Sequence, residues 1–144
     1  MALLRELGQG QGFLKAGFLG FPKSGKTYTA ITLAIGLHKF MGNCGNLVFF
    51  DTEGGSEYVA SMIRAQLGRP LLGVKARAFD DLIAVTREVK PNDVLFVDSI
   101  THLWRELCDS HLKNVNDALR KKGKALRSRL EFQDWNPIKS TWAQ

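Results

Sequence analysis

Apolar residues along this chain fall into short blocks punctuated by glycine, proline and acidic residues. Phe13-Leu14-Lys15-Ala16-Gly17-Phe18-Leu19 is short and mostly apolar, which predicts a strand. Tyr28 to Phe40 predicts a helix, with Ile31, Ala34, Ile35 and His38 on one stripe and Leu33, Leu37 and Phe40 close by. So broad an apolar surface suits a helix packed on a sheet, and Gly42 and Gly45 stop it. Leu47-Val48-Phe49-Phe50 is a continuous apolar run, as in strands buried on both faces, and it ends in Asp51-Thr52-Glu53-Gly54-Gly55. Ser56 can cap a helix to about Leu67, with Val59, Met62, Ile63 and Gln66 at helical spacing before Gly68 and Pro70 end it.

Val74, Ala76 and Ala78 alternate with Lys75 and Arg77, the period of a half-exposed strand. Asp80 can cap a helix carrying Leu82, Ile83, Val85 and Val89, and Pro91-Asn92-Asp93 is a turn. Val94-Leu95-Phe96-Val97 predicts a further strand, ending in Asp98-Ser99. Beyond it Leu103, Trp104, Leu107, Leu112, Val115, Leu119, Leu126 and Leu130 predict one long amphipathic helix over about 101–131, interrupted at Gly123. Residues 132–144 read as irregular, with Trp135 and Trp142 around Pro137. Residues 1–12, with Leu3, Leu4 and Leu7 before alternating glycine and glutamine, read as an N-terminal arm, leaving 13–144 as one domain. Alternating strands and helices make the class α/β, with a mainly parallel sheet sandwiched by helices.

Composition narrows the class without naming a chemistry. Hydrophobic residues at 44% and charged residues at 24% are ordinary for a soluble globular domain of 144 residues. Cys44 and Cys108 lie far apart with no metal-type spacing, which argues against a disulfide framework or zinc site and fits a reducing compartment. There is no signal-peptide pattern and no run of about 18 apolar residues, so the expected location is cytoplasmic, with no membrane partner. His38 is expected on a helix surface rather than as a ligand, because no second ligand is near it in the pattern.

The chemistry is concentrated at the carboxyl ends of the predicted strands, where ligands bind in such sheets. Gly20-Phe21-Pro22-Lys23-Ser24-Gly25-Lys26-Thr27 fits G-x-x-x-x-G-K-[ST] between a predicted strand and a predicted helix that opens at Tyr28. In such a loop successive backbone N–H groups wrap an anion and the helix N-terminus adds its positive end. Lys26 would reach the β- and γ-phosphates of a nucleotide, and the Thr27 hydroxyl would ligate Mg²⁺. Asp98 closes an apolar strand, where a carboxylate can hold Mg²⁺ opposite Thr27. Glu53 is the candidate general base for a water in line with the γ-phosphate; Asp51 could serve only to bond nearby backbone N–H groups.

Taken together, residues 20–27, 51–55 and 94–99 resemble the RecA-like P-loop ATPase core. They are most similar to the phage and prophage nucleotide-binding proteins of AAA type, related to phage single-strand annealing recombinases. The resemblance covers roughly residues 13–140. It implies ATP and Mg²⁺ as cofactors, Glu53 as catalytic glutamate, Asp98 as the Walker B carboxylate, a homo-oligomeric ring or filament, a role in DNA recombination, and a bacterial host cell. One departure stands out. RecA-like cores continue with a further strand, carrying a polar sensor residue, that lies between the phosphate-loop strand and the Asp98 strand. No such strand is legible after Phe132, and the family's arginine finger and DNA-binding loop usually lie further on. The expectation is a C-terminally truncated chain that binds nucleotide and hydrolyses it poorly.

Arg120, Lys121, Lys122, Lys124, Arg127 and Arg129 put six basic residues among ten, a large share of the +6 net charge. Such a run can attract the phosphate backbone of single-stranded DNA, or it can be the solvated face of an amphipathic helix. Trp104, Trp135 and Trp142 read as core or interface anchors. Two other functions remain open on the sequence: a nucleotide-dependent assembly or DNA-binding module with little hydrolysis, and a small-molecule kinase, against which D-T-E-G speaks.

Overall fold

The computed structural model describes residues 13–43 and 45–144; the arm expected over 1–12 lies outside them, as does Cys44. Three strands, β1 (Leu47–Asp51), β2 (Leu72–Lys75) and β3 (Val94–Asp98), form a parallel sheet in the order β2-β1-β3. Five helices accompany them among the described residues: α1 (Lys26–Phe40), α2 (Ser56–Leu67), α3 (Phe79–Glu88), α4 (Ile100–Lys121) and α5 (Trp135–Trp142).

The central strand β1 shows why the sheet is covered on both sides. Successive side chains point to opposite faces. Phe49 packs with Ile31, Ala34 and Ile35 of α1 and Val59 and Ile63 of α2. Phe50 packs the other way, with Phe79 and Leu82 of α3 and Leu103 of α4. The continuous apolar run 47–50 therefore feeds two cores at once. Beyond the second core, Trp142 stacks on Phe79 with ring centroids 5.2 Å apart and meets Trp104 edge-on, while Trp104 stacks on Trp135. The tryptophans thus pin α5 to α4 and α3.

Several expectations are corrected. Residues 13–19 are not a strand. A strand needs a neighbour for its N–H and C=O groups, β3 is paired with β1 alone among the described strands, and Phe13 and Leu19 stay 75% and 99% exposed. The strand expected to be half-exposed begins earlier than its alternation suggested, at Leu72, ends at Lys75, and has all four residues exposed. Ser56 and Asp80 are not N-caps: they lie in the first turns of α2 and α3, behind Gly55 and Ala78. The long helix ends at Lys121 rather than near 131, because Gly123 takes a left-handed conformation (φ 61°) that reverses the chain. Residues 132–144 are ordered as a 3-10 turn, Phe132–Asp134, running into α5.

His38 is buried, not a surface residue. Its Nε2 lies 3.3 Å from Arg69, whose guanidinium also donates to the carbonyls of Asn43 and Gly45 and so ties down the end of α1. Burial and the neighbouring Arg69 charge both push its pKa below the ordinary histidine value.

Phe50 has no exposed surface and joins three elements, so Phe50→Ala is expected to cost about 3–5 kcal/mol through lost transfer energy and the cavity left behind. Leu33→Ala, on the half-exposed side of α1, is expected to stay within about 0.5 kcal/mol. Urea unfolding of both variants checks the pair, and equal losses would contradict this core assignment.

Candidate functional site

The loop 20–27 turns sharply into α1. Lys23 and Gly25 both take left-handed backbone angles (φ 64° and 85°), and Gly25 is the N-cap of the helix. Alternation of right- and left-handed residues makes successive N–H groups converge into an anion-binding concavity. No side chain caps α1 and no acidic residue sits in its first turn. The amides of Lys26, Thr27 and Tyr28 have no acceptor among the described residues, whereas Thr29 N–H donates to the Gly25 carbonyl. The Lys26 ammonium folds back on the loop, donating to the carbonyls of Gly20 (2.9 Å) and Phe21 (2.8 Å). Pro22 and Ser24 complete the turn, with Ser24 N–H donating to Phe21.

Next to the loop lies the carboxyl end of β3. The Thr27 hydroxyl donates to Asp98 Oδ2 at 2.7 Å across 71 residues of sequence. A hydroxyl and a carboxylate held this close are two hard oxygen donors. They fit Mg²⁺, which takes only one or two protein oxygens and keeps the rest of its shell for water and phosphate. No cluster of three or more His, Cys, Asp or Glu suited to a metal occurs among the described residues.

Asp51 and Glu53, two residues apart, have different surroundings. Asp51 is buried, and its carboxylate accepts from the amides of Glu53 (3.0 Å), Gly54 (2.6 Å), Gly55 (3.2 Å) and Ser56 (2.9 Å). Burial pushes its pKa up, but the Ser56 hydroxyl and amide and the Gly54 and Glu53 amides outweigh it and bring the value to about 2. Asp51 is thus the clasp of the 51–56 turn. Glu53 projects from that turn, half-exposed, and its Oε1 lies 3.3 Å from His102 Nε2. No hydrogen bond or ion pair joins Glu53 to the phosphate loop among the described residues.

Thr52 fastens this turn to β3. Its amide donates to the Asp98 carbonyl (2.8 Å), its hydroxyl accepts the Ser99 amide (2.7 Å), and the same hydroxyl lies 3.0 and 3.2 Å from the carbonyls of Asp98 and Ser99. Arg77 Nε donates to the Thr52 carbonyl from the β2 side. Reading the sequence alone missed Thr52 as a lock and His102 as a neighbour of Glu53. The available signal was a histidine in the first turn of the helix that follows Asp98-Ser99.

The basic run is not brought to this site. A helix of 22 residues is about 33 Å long, so Arg120 and Lys121 stand at the end of α4 remote from Asp98. Nor do the six residues share a helical face, which corrects the expected long helix. Arg120 pairs with Asp117 and Arg127 with Glu131 and Asp134. Lys122, Lys124 and Arg129 lie beyond the helix and are exposed. Asn116 clamps the return of the chain, its amide donating to the Arg127 carbonyl (2.9 Å) and its oxygen accepting the Arg127 amide (2.8 Å).

No helix among the described residues is long and apolar enough to cross a membrane. A family model described as an AAA domain matches residues 13–140. No curated protein and no solved structure matches the chain.

The Asp51 carboxylate predicts a pH dependence with a definite sign. Its pKa falls on folding from an ordinary value near 3.8 to about 2, so the stability it contributes is present above pH 4 and lost as pH falls toward 2. At about 1.4 kcal/mol per unit this amounts to about 2 kcal/mol. Asp51→Asn is expected to be less stable than the parent by that order at pH 7, and the gap is expected to close between pH 4 and pH 2 in chemical denaturation. A gap independent of pH would contradict the clasp.

Proposed function

The chain belongs to the AAA domain family as a P-loop nucleotide-binding domain, and on that footing we propose that it is a Mg²⁺-dependent ATPase. The observation that carries this reading is the 2.7 Å contact between Thr27 and Asp98, which joins the phosphate loop to the end of β3. Residues 20–28 would enclose the phosphates with backbone amides, and Lys26 would exchange its two loop carbonyls for β- and γ-phosphate oxygens. Thr27 and Asp98 would hold Mg²⁺, and the ion would supply positive charge to offset that of the phosphates. Glu53 is the general base: water oxygen bonds to the γ-phosphorus, its proton passes to Glu53, and the bond to the bridging oxygen breaks with its electron pair leaving on ADP.

The finer biological reading is DNA recombination of phage or prophage type, in a homo-oligomer, with single-stranded DNA as partner. Its support is the resemblance of the three motifs and the exposed charges of Lys121, Lys122, Lys124 and Arg129. A second reading, a nucleotide-dependent assembly module with little hydrolysis, is favoured by one feature. Residues 13–19 enter the phosphate loop without strand pairing, so among the described residues Thr27–Asp98 is the hydrogen bond that ties the loop to the sheet.

Mg-ATP turnover by the chain, with and without single-stranded DNA, separates these readings. The ATPase reading expects turnover, and the recombination reading expects it to rise with DNA; binding without turnover in either condition favours the assembly module. Lys26→Ala is expected to weaken Mg-ATP binding at least tenfold by calorimetry, and unchanged binding would remove the loop from the site. Glu53→Gln is expected to keep nucleotide affinity and lower turnover by about 10²–10⁴-fold.

A further inference from the structure

We propose that His102 is a positioning residue for Glu53. Its Nε2 lies 3.3 Å from Glu53 Oε1, which holds that oxygen in place and leaves Oε2 to accept the proton of the attacking water. The proposal deepens the ATPase reading and rests on it.

The two side chains are brought together by one lock. Thr52 is joined to Asp98 and Ser99 by its amide and hydroxyl. Glu53 is the next residue on one side of that lock. On the other side, the His102 amide donates to the Ser99 carbonyl at 3.3 Å, placing the imidazole in the first turn of α4. The turn holding Glu53 is itself fixed by Asp51, so its backbone has little freedom. What remains loose is the Glu53 side chain, which is half-exposed and has three rotatable bonds. His102 is its one side-chain partner among the described residues, at 3.3 Å.

As a partly exposed ion pair this contact adds little to stability. Its effect lies in geometry instead. A general base works only when its oxygen is within hydrogen-bond reach of the proton it removes, and small misplacements lower rates steeply. Holding Oε1 selects one orientation of the carboxylate.

The test is steady-state Mg-ATP hydrolysis by the full chain. His102→Ala is expected to lower kcat about tenfold with KM and calorimetric nucleotide affinity unchanged. His102→Gln, whose side-chain amide can donate to the same oxygen, is expected to recover most of the loss. On a Glu53→Gln background, His102→Ala is expected to add no further loss, because its partner is already disabled. If Glu53→Gln abolishes turnover and His102→Ala keeps kcat within twofold, the positioning role is wrong and the ATPase reading stands. A rise in KM with kcat unchanged would assign His102 to nucleotide binding and equally overturn the proposal. Full turnover by Glu53→Gln, or none by the parent chain, would overturn the general-base reading and the role of His102 together.

Discussion

The candidate site depends on the parallel register of β1 and β3, which sets Asp51 directly beside Asp98. Parallel strands end on the same edge of a sheet, so a register shift of one residue would invert which side chains face each layer as well as move the acidic termini apart. The register is held by burial: Phe49 and Phe50 enter opposite cores, and neither can exchange places without exposing both. Thr52 then extends the pairing one step beyond the ladder. The chemistry of the site is in this sense a product of packing below it. The strands deliver the carboxylates, and the helices that follow them, α2 and α4, turn away and leave the edge open.

The two carboxylates of the 51–53 turn divide their work by environment. Asp51 has its acceptor capacity taken up by four amides, which suits a structural clasp and leaves nothing for a ligand. Glu53 is held by its backbone and has its side chain outside. Asp98 is intermediate, with one oxygen on Thr27 and its carbonyl on Thr52. Three acidic residues close in space are thereby kept chemically distinct without any change of residue type.

Local pattern made much of this legible. The loop 20–27 is recognisable because its function constrains residue types at fixed spacing, and the runs 47–50 and 94–97 because doubly covered strands are apolar throughout. The α/β class with a parallel sheet and flanking helices followed from their alternation, and the structure and the AAA domain match agree with it. What failed was whatever depends on a distant partner. Residues 13–19 have the composition of a strand, but strand formation is a property of pairs. The period of α4 seemed to continue through Leu126 and Leu130, yet the left-handed Gly123 ends it, and a hydrophobic period cannot register a reversal. His38 showed only its type, while its burial comes from α1 packing on the sheet and Arg69. The pairing of His102 with Glu53 joins residues far apart in sequence that neither periodicity nor any motif connects.

The return of the chain after α4 is closed at its two ends, by Gly123 and by the paired bonds of Asn116 with Arg127, and the stretch between them carries few obligations. Lys124, Ala125 and Leu126 are exposed. Closing a longer loop between fixed ends costs little, about 0.6 kcal/mol for each doubling of length. Residues 124–126 are therefore where this domain can be lengthened, recharged or fused to another sequence while β1, β3 and the phosphate loop keep their places. Divergence between relatives of this chain should gather there, on the side of the molecule remote from the Thr27–Asp98 contact.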